Sequence, residues 1–252
     1  MRKLRHISQR LFSGTLTTIL FVLSTHVIAG AGEIQSALNS DKRTAGDSER
    51  DAGRKPAEVL AFLGVNEGST VLDLMASGGW YTEVMSLAVG ESGKVYAQNS
   101  PAFLKFRDGY YDKALTERLA GNRLPNVQRI NADFNAMGLE NEVDVAITAL
   151  NFHDIYNRNP DDAIAMLKDV KKALKPGGVI GLIDHDGNPE ADNNKLHRMT
   201  KAQAIAAAEA AGYEVTSSDL LSNSEDDHTQ GVFGPGLRGK TDRFLLKLKK
   251  PM

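Results

Sequence analysis

The stretch Val71-Leu72-Asp73-Leu74-Met75-Ala76-Ser77-Gly78-Gly79-Trp80-Tyr81-Thr82-Glu83 constrains the fold of this chain more than any other. The apolar run of Val71, Leu72 and Leu74, with the acid Asp73 inside it, has the make-up of a buried strand. A turn of small residues follows. Tyr81, Val84, Met85 and Ala88 then fall at i, i+3, i+4 and i+7, one apolar face of a helix that Gly90 can stop. Strand, glycine turn and helix, in that order, is how a doubly wound sheet brings free backbone N–H groups to a ligand at the carboxyl edge of its first strand. The same letters also suit an ordinary strand-to-helix turn, because two adjacent glycines are a weak signal on their own.

The first 31 residues differ from the rest. Arg2, Lys3, Arg5 and Arg10 make a basic start with no acid before Glu33, and an apolar segment follows, densest at Ile19-Leu20-Phe21-Val22-Leu23. Ala29-Gly30-Ala31 then offers small residues at −3 and −1. This is the anatomy of a secretory signal peptide (residues 1–31), its apolar part short for a bilayer span, with an uncleaved amino-terminal anchor as the alternative. Removal of those four positive charges takes the formal charge from −2 to −6. The body has no basic run, which argues against nucleic acid or an anionic membrane as partner and for a small-molecule substrate. With no cysteine, the chain has no disulfide, no thiolate metal site and no cysteine nucleophile. The expected location is periplasmic or secreted, without stable membrane insertion once the signal is cleaved.

Residues 32–47 are polar and short of apolar periodicity, so a flexible segment is expected before a domain spanning 48–252. Pro56 suits the first position of a helix over Ala57 to Leu63. Arg50 and Arg54, one helical turn apart, read as a solvated face or as an anion contact. Lys94–Ala97, Val127–Ile130, Val143–Leu150 and Val179–Ile183 read as further strands. Helices are predicted around Tyr111–Leu119, after Asn159-Pro160-Asp161-Asp162 and after the capping box Thr200-Lys201-Ala202-Gln203. Glu214-Val215 begins a sixth strand, Arg243–Leu248 is the last, and the long loop between them is expected to be a lid or site wall. The fold class is therefore α/β: a doubly wound, mostly parallel seven-stranded sheet with a carboxyl-terminal antiparallel hairpin.

With these elements in order, the chain resembles class I S-adenosylmethionine-dependent methyltransferases from about Arg50 to its end. Arg54-Lys55-Pro56, Gly78-Gly79-Trp80-Tyr81-Thr82-Glu83 and Gly239-Lys240-Thr241-Asp242-Arg243-Phe244 look more closely like a group of exported predicted methyltransferases of bacteria. The resemblance implies S-adenosylmethionine as cofactor. Asp73 with Met75, Ala76, Ser77, Gly78, Gly79 and Trp80 would hold its methionine part. Gln98 and Asn99 would meet the ribose, Asp133 and Phe134 the adenine, and Asn151 to Asp154 would face the transferring methyl group. The common motif of the family is acid-x-Gly-x-Gly-x-Gly; here Met75 and Ser77 replace the first two glycines, and an amide replaces the ribose-binding acid.

Methyl transfer from a sulfonium is an in-line displacement, and a base helps only where the acceptor loses a proton. His153, at the end of the fourth strand, and Asp184 with His185, at the end of the fifth, are the candidate catalytic residues, against the plainer reading of satisfied loop histidines. Asp184 and Asp186 flank His185 and could bind a metal or orient it; no spacing is diagnostic of a metal, and none is expected. Two other functions stay open: an accessory or binding protein that kept the fold without turnover, and an NAD-dependent oxidoreductase, which lacks the G-x-G-x-x-G fingerprint.

Overall fold

The computed structural model describes residues 30–252; the expected signal peptide falls on 1–31 and so lies almost wholly outside the described residues. Seven strands form one sheet: β1 Thr70–Leu74, β2 Lys94–Gln98, β3 Val127–Ile130, β4 Val143–Ala149, β5 Leu174–His185, β6 Glu214–Ser218 and β7 Arg243–Lys249. Their order is β3-β2-β1-β4-β5-β7-β6. The first five run parallel, and β7 lies antiparallel between β5 and β6. This is the doubly wound sheet with a reversed terminal hairpin expected from the sequence. The order reverses between β1 and β4, and the carboxyl ends of these two strands are the switch point at which sheets of this kind bind ligands.

β1 is a near-continuous apolar run because both faces of the sheet are covered. Leu72 and Leu74 pack on one side into a core built with α5 (Pro160–Ala173) and α6 (Lys201–Ala210). Val71 packs on the other side with α1 (Pro56–Leu63) and α2 (Trp80–Val89). α1 lies so close to β5 that a Cβ on Gly181 would stand 2.4 Å from Leu63 Cδ1.

Several elements differ from the sequence expectation. Residues 32–47 are not a loose tether: the chain is helical through residue 38, and Ile34 and Leu38, 4% and 2% exposed, enter the core beside α1. Two apolar residues four apart are one helix contact, too little for a periodic signal. The helix after β2, α3, starts at Pro101 and ends at Arg118, capped by Ser100 Oγ, which accepts from Phe103 N–H. Its apolar period is masked by a break in which Arg107, Asp108 and Gly109 are left-handed. A short helix, α4 (Phe152–Arg158), follows β4 at once, where only a strand end was expected. No helix among the described residues is long and apolar enough to cross a membrane.

Candidate active site at the carboxyl edge of the sheet

The turn after β1 is tightly tied to the end of β2. Met75 and Ser77 adopt left-handed backbone, φ 50° and 54°, where the common motif has glycine. The Met75 N–H donates to Gln98 Oε1 at 3.0 Å, the Ala76 N–H to the Gln98 carbonyl at 2.9 Å and the Ser77 N–H to Asn99 Oδ1 at 2.9 Å. Gln98 Nε2 in turn donates to the Ala132 carbonyl at 2.7 Å, which links the β1 turn to the loop after β3. Gln98 and Asn99 are fully buried. Their amides thus hold the turn, and the three N–H groups that follow Leu74 are already paired. The N–H of Gly78, next in the chain, has no partner among the described residues and leads into α2.

Asp73 ends β1 facing α2, where its carboxylate accepts from Thr82 Oγ1 at 2.6 Å. Burial pushes this carboxyl up to about 7, against the Thr82 hydrogen bonds and the Arg54 charge. Arg54 lies 4.4 Å over the Trp80 ring, and the Trp80 indole donates to the Asp47 carbonyl at 3.1 Å. Trp80 therefore packs beneath the amino-terminal segment, and Tyr81 is buried beside it with ring centroids 4.8 Å apart. Gly79 has φ 83°, and a Cβ there would meet Leu115 Cδ1 at 2.7 Å. Arg118, on the same helix, donates to the Gly78 carbonyl at 2.7 Å and pairs with Asp47 and Glu83.

At the neighbouring strand ends the chain collects histidines. His153, in the first turn of α4, has its Nδ1 2.7 Å from Asp184 Oδ1, while its backbone N–H donates to Asp184 Oδ2 at 2.7 Å. Asp184 is fully buried and orients His153. Sequence reading offered it as a partner for the His185 ring, but alternation along β5 turns consecutive side chains to opposite faces. His185 Nδ1 lies instead 2.7 Å from Thr241 Oγ1. Asp186, the other flanking acid, accepts from the backbone N–H groups of Gly187 and Lys201. Burial opposes charge on His153, but its hydrogen bonds to Asp154 and Asp184 raise it to about 10. Burial, with the charges of Arg243 and His153, holds His185 well below its ordinary value. At neutral pH the first ring carries a proton and the second is neutral.

The remaining candidates fall on the same edge. Asn151 accepts from Thr148 Oγ1 at 2.6 Å at the start of α4. Asp133 is exposed and Phe134 half-buried just past β3. Two further residues, Arg198 and His197, read from the sequence only as surface or wall residues, stand on this edge. Arg198 is a fully buried anchor: it pairs with buried Asp226 at 2.9 Å and donates to the carbonyls of Asp186 and Gln230. It fixes the long loop after β6 as a wall of the site. His197, beside it, lies 3.3 Å from Asp154 through Nδ1. Neither has a sequence signal, because their partners are 28 and 43 residues away.

For the cofactor that the resemblance implies, the donor set has the right chemistry at its two ends: a carboxylate at Asp73 and the Gly78 N–H after β1, unpaired among the described residues, and the half-buried Phe134 ring past β3. The ribose position fits less well, because the Gln98 amide is already hydrogen-bonded at both ends.

No family model matches the chain, and no curated protein matches it. Solved structures do. A SAM-dependent methyltransferase from Aquifex aeolicus is 22% identical, with a TM-score of 0.59, over 87% of this chain and 97% of that one. An S-adenosylmethionine-dependent methyltransferase from Mesorhizobium loti is 15% identical, with a TM-score of 0.54, over 80% and 100%. An arsenic(III) S-adenosylmethionine methyltransferase from Chlamydomonas reinhardtii is 18% identical, with a TM-score of 0.51, over 87% and 73%. This chain has the fold of S-adenosylmethionine-dependent methyltransferases.

Proposed function

We propose that this protein is an S-adenosylmethionine-dependent methyltransferase acting on a small-molecule or envelope substrate. One observation carries the reading. The β1 turn and the ends of β2, β3 and β4 lie at the switch point of a 3-2-1-4-5-7-6 sheet, so Asp73, Gly78, Phe134 and Asn151 fall on one carboxyl edge, where ligands of such sheets bind. When bound, the cofactor supplies an electrophilic methyl group. Asp73 holds its ammonium group, and the Gly78 N–H at the start of α2 meets its carboxylate. Phe134 stacks on its adenine. His153, locked by Asp184, offers a hydrogen bond from Nε2 that orients the acceptor.

Calorimetric titration of the full chain tests this. S-adenosylmethionine is expected to bind tighter than about 100 μM, and NAD to give no heat. Absence of S-adenosylmethionine binding overturns the reading in favour of a binding protein on the same fold, and NAD binding alone would point to an oxidoreductase. Met75→Gly provides a second check. Its left-handed φ is unfavourable for a side chain, by about 1–2 kcal/mol, and the side chain, half-buried against the core, stands in the turn where the common motif has glycine. The variant is expected to bind the cofactor about tenfold more tightly, a gain of about 1.4 kcal/mol; unchanged affinity would mean that Met75 does not restrict the site.

We also propose export to the periplasm or the medium, on the basic start, apolar stretch and Ala29-Gly30-Ala31. A mature amino terminus at Gly32 in the fractionated protein is the expected result, and an intact Met1 in the membrane fraction would support the anchor instead. Cleavage there would leave Ile34 and Leu38 in the core.

A further inference from the structure

We propose that His153, Asp154 and His197 bind one divalent transition-metal ion, of the class of Zn²⁺ or Fe²⁺, at the carboxyl edge of the sheet. This goes beyond the methyltransferase reading and does not depend on it; in the metal-bound protein His153 Nε2 is a ligand, and the open metal position replaces its hydrogen bond to the acceptor. The three residues come from the start of α4 and from the turn after Asn193–Leu196. Each offers one ligand atom, and the three atoms lie within 4.8 Å of one another. Asp154 Oδ1 is 3.3 Å from His153 Nε2 and 3.3 Å from His197 Nδ1. Two atoms bound to one ion at about 2.0–2.1 Å stand about 2.8–3.0 Å apart in octahedral and about 3.3–3.4 Å apart in tetrahedral geometry. Both carboxylate-to-ring gaps therefore already have the required length.

The surroundings are those of a ligand set. Asp184, acceptor-only as a carboxylate, accepts a hydrogen bond from His153 Nδ1 and so turns Nε2 toward Asp154. A buried carboxylate behind a histidine whose far nitrogen faces a second carboxylate is the outer-shell arrangement that fixes tautomer and ring angle at metal centres. His197 is left-handed, φ 54°, an unfavourable conformation for a side chain of its size that brings its ring over Asp154. Phe233, 70% exposed on the long loop, lies edge-on to the His197 ring at 5.2 Å and walls one side. Asp154 and His197 face solvent, which leaves a way in for the ion. Two imidazoles and one carboxylate select a borderline divalent metal over the oxygen-seeking Ca²⁺ and Mg²⁺. Three protein ligands leave at least one position open to water or to an oxygen or nitrogen of the acceptor.

The test uses the full, untagged chain stripped with a chelator. Zn²⁺ is titrated by calorimetry and Co²⁺ by visible absorption, with S-adenosylmethionine titrated separately. One ion per chain, with Kd below about 1 μM, is expected. His197→Ala and Asp154→Asn are each expected to weaken binding at least about 100-fold, and Asp184→Asn, which removes no ligand, about 10–100-fold. His228→Ala, whose ring pairs with Asp242 instead, should leave the affinity unchanged. Zn²⁺ binding weaker than about 100 μM overturns the proposal. So does tight binding that survives both ligand substitutions. His197 and Asp154 are solvent-facing, and thermal melts of both variants establish that they fold. Metal binding without cofactor binding would uphold this site and sink the methyltransferase reading alone.

Discussion

Glu83→Gln is expected to destabilise the protein by about 3 kcal/mol, the cost of removing the buried charge at the centre of an ion-pair network. The Glu83 side chain is 1% exposed, and both of its oxygens are in use. Thr44 donates to them from its N–H at 2.6 Å and its hydroxyl at 2.7 Å. Arg123 donates twice at 2.8 Å, and Arg118 adds a third guanidinium contact. A glutamine would turn an NH₂ group toward these donors and remove the charge that balances two arginines. The consequence reaches the site, because Arg118 also holds the Gly78 carbonyl. Burial alone would raise the Glu83 carboxyl, but the Arg123 and Thr44 hydrogen bonds and the Arg118 charge hold it down at about 2. A depressed folded-state value gives stability that is present above pH 4.5 and lost as pH falls through 2. Urea unfolding of the wild type should therefore show an acid limb of about 3 kcal/mol in that window, which the variant lacks. A variant within about 1 kcal/mol of wild type at pH 7 would show that this network contributes little.

Asp73→Asn is expected to move binding and stability in opposite directions. If Asp73 holds the cofactor's ammonium group, the substitution lowers affinity at least about 100-fold, because a buried charge loses its partner. The free protein should become more stable at pH 8. The folded-state carboxyl is raised to about 7 by burial. An acid raised in the folded state gives stability that is full below its unfolded value of 3.8 and is lost as pH rises through 7, by up to about 4 kcal/mol. Asparagine keeps the acceptor for Thr82 Oγ1 without the charge, so that decline should vanish. The same titration predicts that cofactor affinity in the wild type rises with pH and levels off above about 7, with the value at pH 6 about tenfold below the plateau. Calorimetry from pH 5.5 to about 8.5, alongside chemical unfolding of both proteins, reads all of this. Wild-type affinity in the asparagine variant would remove Asp73 from the binding site. A residue that is unfavourable for stability and needed for binding is the trade expected at a functional position.

Much of the fold was legible because local signals and the global pattern agree. The β1 run, the Pro56 and Pro160 helix starts and the Thr200–Gln203 capping box all stand where residue type and spacing place them. Less was legible where stability comes from distant partners. Thr44 and Asp47 look like polar tether residues, and only Glu83 and Arg118 make them part of a closed network. Gln98 and Asn99 look like replacements for a ribose-binding acid, yet in the folded chain their amides hold the β1 turn. The identity of those side chains was plain; their partners were not.

By itself, the sequence determined the strand and helix order, the glycine turn after Asp73 and the class of sheet, because hydrophobic period and backbone chemistry are properties of neighbouring residues. Only the tertiary structure decided which acid serves which histidine. Asp184 is adjacent to His185 in the chain but bonds the His153 ring, since a strand turns alternate side chains to opposite faces and the parallel β4–β5 pairing brings residues about 30 positions apart within hydrogen-bond reach. It likewise brought His197 to Asp154 across 43 residues, a distance no motif spacing encodes.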